Sequence, residues 1–141
     1  MIPLIIKETI ATPKIVFDVA NNDFELKGCS RPEDVRNFYI PIIDWLKELK
    51  ENIDNKIRAK FTPENPMVFK FKFDYFNSSS AKFILDILVL INEVHNSDIN
   101  VRIDWYYDEN DDDMKEVGEE LSEVVDFAFE YIISKRSSAF S

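Results

Sequence analysis

The stretch MVFKFKFDYFNSSSAKFILDILVLINEVH, Met67 to His95, decides how the rest of the chain is read. Its first ten residues alternate, with Met67, Phe69, Phe71, Phe73 and Tyr75 on one side and Val68, Lys70, Lys72, Asp74 and Phe76 on the other, the period-two pattern of a strand. Its end is helical, because Ile84, Ile87, Leu88, Ile91 and His95 recur at three- and four-residue steps. Asn77, Ser78, Ser79 and Ser80 lie between. These residue types favour helix caps, since their side-chain oxygens accept from the orphan amides of the first turn. One capping group suffices, yet four polar residues stand in a row. A helix start also stabilises added negative charge, and Lys82, one turn beyond Ser78, is within reach of a phosphate placed there. The cluster reads either as a simple cap or as a phosphorylation switch.

Outward from this unit, the chain alternates strands and helices. Residues Met1 to Thr12 carry Ile2, Leu4, Ile5 and Ile6 and form an arm or edge strand that ends at Pro13. Lys14–Val19 and Phe24–Lys27 form a hairpin through Ala20, Asn21, Asn22 and Asp23. Ser30 with Glu33 three residues on, and Pro32 between, predicts a capping box and a helix start. Val35, Phe38, Tyr39, Ile42, Leu46, Leu49 and Ile53 then follow at helical spacing, interrupted by Pro41, which is expected to bend the helix. Asp54 to Pro66 is polar and reads as a surface connection. Ile99–Tyr107 is the next strand and Asp111–Val125 the next helix, with Phe127, Phe129 and Tyr131 as a last strand and a frayed polar tail over 134–141. On the helix that ends the Met67–His95 stretch, Lys82, Asp86 and Glu93 form one narrow polar stripe, so its broad apolar arc needs cover from a neighbouring helix or from a partner. The pattern predicts an α/β fold in one domain spanning 1–141: a mixed sheet with an N-terminal hairpin, followed by alternating helices and strands joined by right-handed crossovers.

Composition removes several classes of function. A length of 141 residues, 45% hydrophobic and 31% charged, suits one globular domain with its own core. Only two glycines are present, so neither a phosphate-binding loop nor a dinucleotide fingerprint can form. A net charge of −10 argues against nucleic acid as a partner and for a basic patch on another protein. Cys29 is the sole cysteine, which fits a reducing compartment. With no apolar run long enough for a bilayer and no signal-like start, the expected location is the cytoplasm, away from membranes.

Catalytic constellations are poorly supported. His95 is the only histidine and lies 17 residues from Ser78 on the same helix, about 25 Å at the usual rise, too far for a serine–histidine pair. The run Asp108–Asp113 places Asp108, Asn110, Asp112 and Glu119 at four positions of a calcium loop. It puts Asp113 where that loop needs glycine, and a strand where it needs a helix. Acidic residues at a helix start are accounted for by the macrodipole.

The run FDYFNSSSAKFILDILVLINEVH and the later RIDWYYD resemble the SiaC family of bacterial regulatory phosphoproteins. TPKIVFD, FELKGCSRPED and PIIDWL resemble that family's earlier blocks, so the likeness extends from about Thr12 to Tyr131. The strand–serines–helix arrangement is also similar in design to the STAS domains of anti-sigma factor antagonists, although Ala81 and Lys82 stand where those carry a glycine-containing helix start. The resemblance implies a STAS-like single domain, a protein without catalysis or cofactor of its own, and control by a Ser/Thr protein kinase and a PP2C-type phosphatase. It implies that the unphosphorylated form binds and activates a diguanylate cyclase, raising cyclic di-GMP and biofilm formation. The alternative is a STAS-type antagonist in an anti-sigma factor cascade. The acceptor implied is Ser78, where the family generally carries threonine, with Ser79 second. Asn77, Ser79, Ser80 and Lys82 would surround it and meet the partner.

Overall fold

The computed structural model describes residues 1–134; the last seven residues of the expected frayed tail, 135–141, lie outside the described residues. Six strands form a single sheet in chain order: β1 (Leu4–Ile6), β2 (Lys14–Asp18), β3 (Asp23–Ser30), β4 (Met67–Phe76), β5 (Val101–Asp108) and β6 (Glu130–Ser134). The first three pair antiparallel and the last four parallel. The helices are α1 (Val35–Glu51), α2 (Asn55–Lys60), α3 (Ser78–His95) and α4 (Asp112–Val125). A mixed α/β architecture with an N-terminal hairpin is therefore what the chain builds, and the Met1–Thr12 segment supplies the edge strand.

Burial shows that the helices cover one face only. Phe69 and Phe71 are fully buried while Val68, Lys70 and Lys72 are half-exposed, and the same alternation runs through β2 and β3. A sheet whose strands follow in chain order, with all crossovers on one face, is what successive right-handed connections stepping the same way produce. Register brings the core together across the sheet: Phe24 pairs with Phe69, Leu26 with Phe71, and Phe71 with Trp105. Trp105 stacks between Phe71 at 5.7 Å and Phe129 at 5.9 Å. The broad apolar arc of α3 is covered within the chain, packed against α1 and flanked by α4.

Four expectations are corrected. Ser30 does not cap α1: it ends β3, fully buried, and α1 starts at Val35 behind Asp34, whose side chain accepts from Asn37 N at 3.1 Å. Sheet pairing to Phe76 holds Ser30 extended and wins over the local capping pattern. The polar connection Asp54–Pro66 contains α2, capped by Asp54, whose carboxylate accepts from Ile57 N at 2.9 Å. The last strand begins at Glu130, since Asp126 closes α4 in the left-handed region and Ser122 Oγ donates to Phe127 O at 2.6 Å, holding Phe127 in the turn. Ser134, assigned to the tail, is the final residue of that strand.

The strict alternation of β4 also breaks. Gly28 pairs with Phe73 and Cys29 with Tyr75, so Asp74 is skipped and the strand bulges. Past the bulge Tyr75 turns outward, 49% exposed, and Phe76 turns in, its ring edge-on to Phe73 and Trp105. Gly28 has a φ of +120°, a backbone conformation that strains any L side chain and favours glycine. The bulge re-aims β4 immediately before the serine cluster.

Candidate functional site

α3 opens directly on the carboxyl end of β4. Asn77 is its cap: extended at φ −82°, ψ 172°, it accepts from Ser80 N through Oδ1 at 2.9 Å, while its carbonyl takes the first intrahelical bond, from Ala81 N at 3.0 Å. With that cap made, the hydroxyls of Ser78 and Ser79 have no capping task. Both residues are exposed, and neither hydroxyl has a hydrogen-bond partner among the described residues. Their amides precede the first intrahelical bond and face solvent at the positive end of the helix, and no acidic residue lies in the first turn. Lys82, exposed, follows on the same side one turn later. The arrangement suits an added phosphate: two outward oxygens, free amides beneath them, and a cation nearby.

Ser80 differs from its neighbours. It is fully buried, so the docking role expected for it is corrected: its hydroxyl faces the interior and cannot meet a partner. There its Oγ lies 2.8 Å from Ser30 Oγ and donates to Ser30 O at 3.1 Å, and Ser30 Oγ lies 2.5 Å from Tyr39 Oη. Burial pushes the Tyr39 phenol above its ordinary value, partly opposed by its hydrogen bonds to Ser30 and Ser80. In the sequence Ser30 reads as a helix cap and Tyr39 as a helix-face residue, and neither as part of this cluster. Ser30 is 50 positions from Ser80, and only the parallel pairing of β3 with β4 brings them together.

At the same edge of the sheet a cleft of about 420 Å³ opens between the ends of β4, β5 and β6, lined by Lys72, Asp74, Tyr106, Tyr107, Asp108 and Asp111 among others. Its one cation among the described residues is engaged: Lys72 Nζ pairs with Glu25 at 2.9 Å and sits 4.8 Å over the Tyr106 ring. Glu25 is desolvated, which raises its pKa, but hydrogen bonds from Lys72 and Lys14 outweigh this and hold it below the usual carboxylate value. The acidic run beside the cleft serves α4, for which Asp111 is the cap, accepting from Met114 N at 3.0 Å, and Asp112 and Asp113 fill the first turn. Among the described residues no group of three or more His, Cys, Asp or Glu side chains is arranged to hold a metal ion. His95, at the far end of α3, bonds Ile99 O at 2.9 Å through Nδ1. No helix among the described residues is long and apolar enough to cross a membrane.

A family model described as SiaC family regulatory phosphoprotein matches residues 6–134. The chain belongs to that family. An uncharacterised protein of Pseudomonas aeruginosa strain UCBPP-PA14 is 30% identical over 129 residues, 92% of this chain and 94% of the relative. Apo-SiaC from Pseudomonas aeruginosa superimposes with a TM-score of 0.75 at 28% identity, covering 95% of this chain and 99% of that one. A similar match, TM-score 0.75 at 28% identity over 94% of this chain and 99% of the other, is to a structure of the Pseudomonas aeruginosa diguanylate cyclase SiaD in complex with its activator SiaC. The fold of this chain thus matches that of Pseudomonas aeruginosa SiaC over nearly its whole length.

Proposed function

We propose that this protein is a non-catalytic cytoplasmic adaptor which, with Ser78 unmodified, binds and activates a diguanylate cyclase, and which phosphorylation at Ser78 switches off. Ser79 is the second acceptor. A Ser/Thr protein kinase adds the group and a PP2C-type phosphatase removes it. The observation that carries this reading is the exposed, unbonded Ser78 hydroxyl in the first turn of a helix that Asn77 already caps. The Pseudomonas aeruginosa complex of SiaD with its activator SiaC supports the choice of partner. Asn77, Ser79 and Lys82 form the surround that the cyclase reads. A phosphate there adds roughly −1.5 to −2 charge and three acceptor oxygens. It fills the space a closely fitting partner would occupy, and docking would have to strip water from the added charge.

The test is cyclic di-GMP production by the cyclase encoded in the same genome, mixed with wild type, Ser78→Ala or Ser78→Asp. Ser78→Ala is expected to activate like unmodified wild type. Ser78→Asp should bind at least about tenfold more weakly, equivalent to about 1.4 kcal/mol. Equal activation by both variants overturns the proposal.

A further inference from the structure

We propose that Tyr39, Ser30 and Ser80 are positioning residues which lock the first turn of α3 so that Ser78 and Ser79 are held facing outward; this rests on the reading of Ser78 as acceptor. The three adjacent serines are chemically identical, and the apolar stripe of α3 turns Ser80 inward, four and seven residues before Ile84 and Ile87. The buried hydroxyl chain then anchors that turn. All three of its residues are fully buried, and they come from three separate elements, α1, the end of β3 and the first turn of α3. The direction of donation is set from its far end. Ser80 Oγ donates to Ser30 O at 3.1 Å and Ser30 Oγ donates to Ser80 Oγ at 2.8 Å, which leaves Tyr39 Oη as donor to Ser30 Oγ at 2.5 Å. Every donor then has an acceptor, and among the described residues no buried side-chain nitrogen or oxygen lacks a partner.

The same Ser30 carbonyl also accepts from Asn77 N at 3.0 Å. One oxygen therefore holds both the residue before Ser78 and the residue after Ser79. The Tyr39 ring stacks on Phe83 at 5.5 Å with planes 7° apart, which ties α1 to the next turn of α3. Apolar packing of Ile84, Ile87 and Ile91, which share a face with Ser80, sets the rotation of α3 to the nearest residue, and the hydroxyl chain fixes its first turn more finely. Hydrogen bonds are directional, and a slip by one position would leave the Ser30 and Tyr39 hydroxyls facing Ser79 or Ala81. The chain thus holds Ser78 and Ser79 in one outward register for kinase, phosphatase and cyclase alike.

The experiment is phosphorylation by the cognate kinase of wild type, Tyr39→Phe, Ser80→Ala and the double variant, with kcat and KM measured separately and the modified residue mapped by phosphopeptide mass spectrometry. Tyr39→Phe and Ser80→Ala are each expected to lower kcat about tenfold with little change in KM, as misplacement of a reacting group does. Phosphate should spread between Ser78 and Ser79, and the double variant should fall short of the product of the single effects. Ile99→Val, in the core at the opposite edge of the sheet, controls for lost stability and should leave kcat and the site unchanged. If Ser80→Ala does not fold, Tyr39→Phe, which removes one oxygen only, still decides. Folded variants modified at one serine at the wild-type rate overturn the inference and leave the proposed function standing. A wild type that takes no phosphate from the kinase overturns both.

Discussion

Two strand-to-helix junctions lie at the same edge of the sheet and begin alike. At β4–α3 the Asn77 side chain accepts from Ser80 N at 2.9 Å; at β5–α4 the Asp111 side chain accepts from Met114 N at 3.0 Å. Beyond the cap they diverge. The first turn of α4 carries Asp112 and Asp113, so its positive end is permanently complemented, whereas the first turn of α3 carries no acid and two exposed hydroxyls. Behind α4 stands a rigid ring: Trp105 Nε1 donates to Met114 O at 2.9 Å and the indole lies against Gly118. Behind α3 stands a chain of three hydroxyls. One junction is built to stay as it is. The other leaves its positive end uncomplemented, with two exposed hydroxyls beside it.

The largest effect should come from disturbing the fixed junction. A Cβ on Gly118 would sit 2.5 Å from the Trp105 ring, which is itself fully buried between Phe71 and Phe129 and has nowhere to go. Alanine gains about 1 kcal/mol of helix propensity over glycine. Against that stand overpacking of about 1–3 kcal/mol and the loss of about 1 kcal/mol as the displaced helix weakens the indole bond to Met114. Gly118→Ala should therefore lower stability by about 2 kcal/mol in urea denaturation, since the clash exceeds the propensity gain. A neutral or stabilised variant would show that α4 yields as readily as α3 and would dissolve the contrast.

Much of this contrast was legible in the sequence, and what was not has identifiable causes. Period two in Met67–Phe73 and period 3.6 in Ile84–Val94 gave the central strand and helix, because both are set by burial on one face. The exposed hydroxyls of Ser78 and Ser79 followed from residue type and place. Ser30 misled, because its local pattern with Glu33 is that of a cap, and only strand pairing shows it to be the end of β3. Tyr75 misled likewise, since the bulge depends on Gly28 in a different strand. Ser80 was grouped with its neighbours although it stands four and seven residues before Ile84 and Ile87, on the face that helical period buries; its partners Ser30 and Tyr39 carried no such signal. Non-local hydrogen bonds leave no periodic trace.

A smaller effect tests the electrostatic half of the comparison. Ser79→Asp places in α3 the fixed charge that α4 already has and should stabilise the fold by about 0.3–1 kcal/mol at low ionic strength. Asp112→Ser removes the corresponding charge from α4 and should destabilise by a similar amount. Both differences should shrink in about 1 M salt, where the screening length falls to about 3 Å. Thermal denaturation of the two variants at low and high salt gives the answer. No stabilisation by Ser79→Asp at low salt would mean that the positive end of α3 is already satisfied, and with it the reason for an anion to settle there.

The last difference is invisible at neutral pH. The Trp105 indole behind α4 does not titrate, while the support behind α3 contains Tyr39, whose phenol burial raises above its ordinary value of 10.0. A folded pKa above the unfolded one means that the fold favours the protonated phenol. Its contribution is fully present below pH 10.0 and is lost as pH rises through 10.0 toward the folded value, where the unfolded chain releases the proton first. Tyr39→Phe should therefore flatten the fall of stability above pH 10.0 relative to wild type, read by chemical denaturation across that range. Tyr131, whose phenol burial also raises, is common to both proteins and cancels in the difference. Identical alkaline slopes would show that water reaches the Tyr39 hydroxyl, and a hydroxyl chain open to water would not hold three like serines in one register.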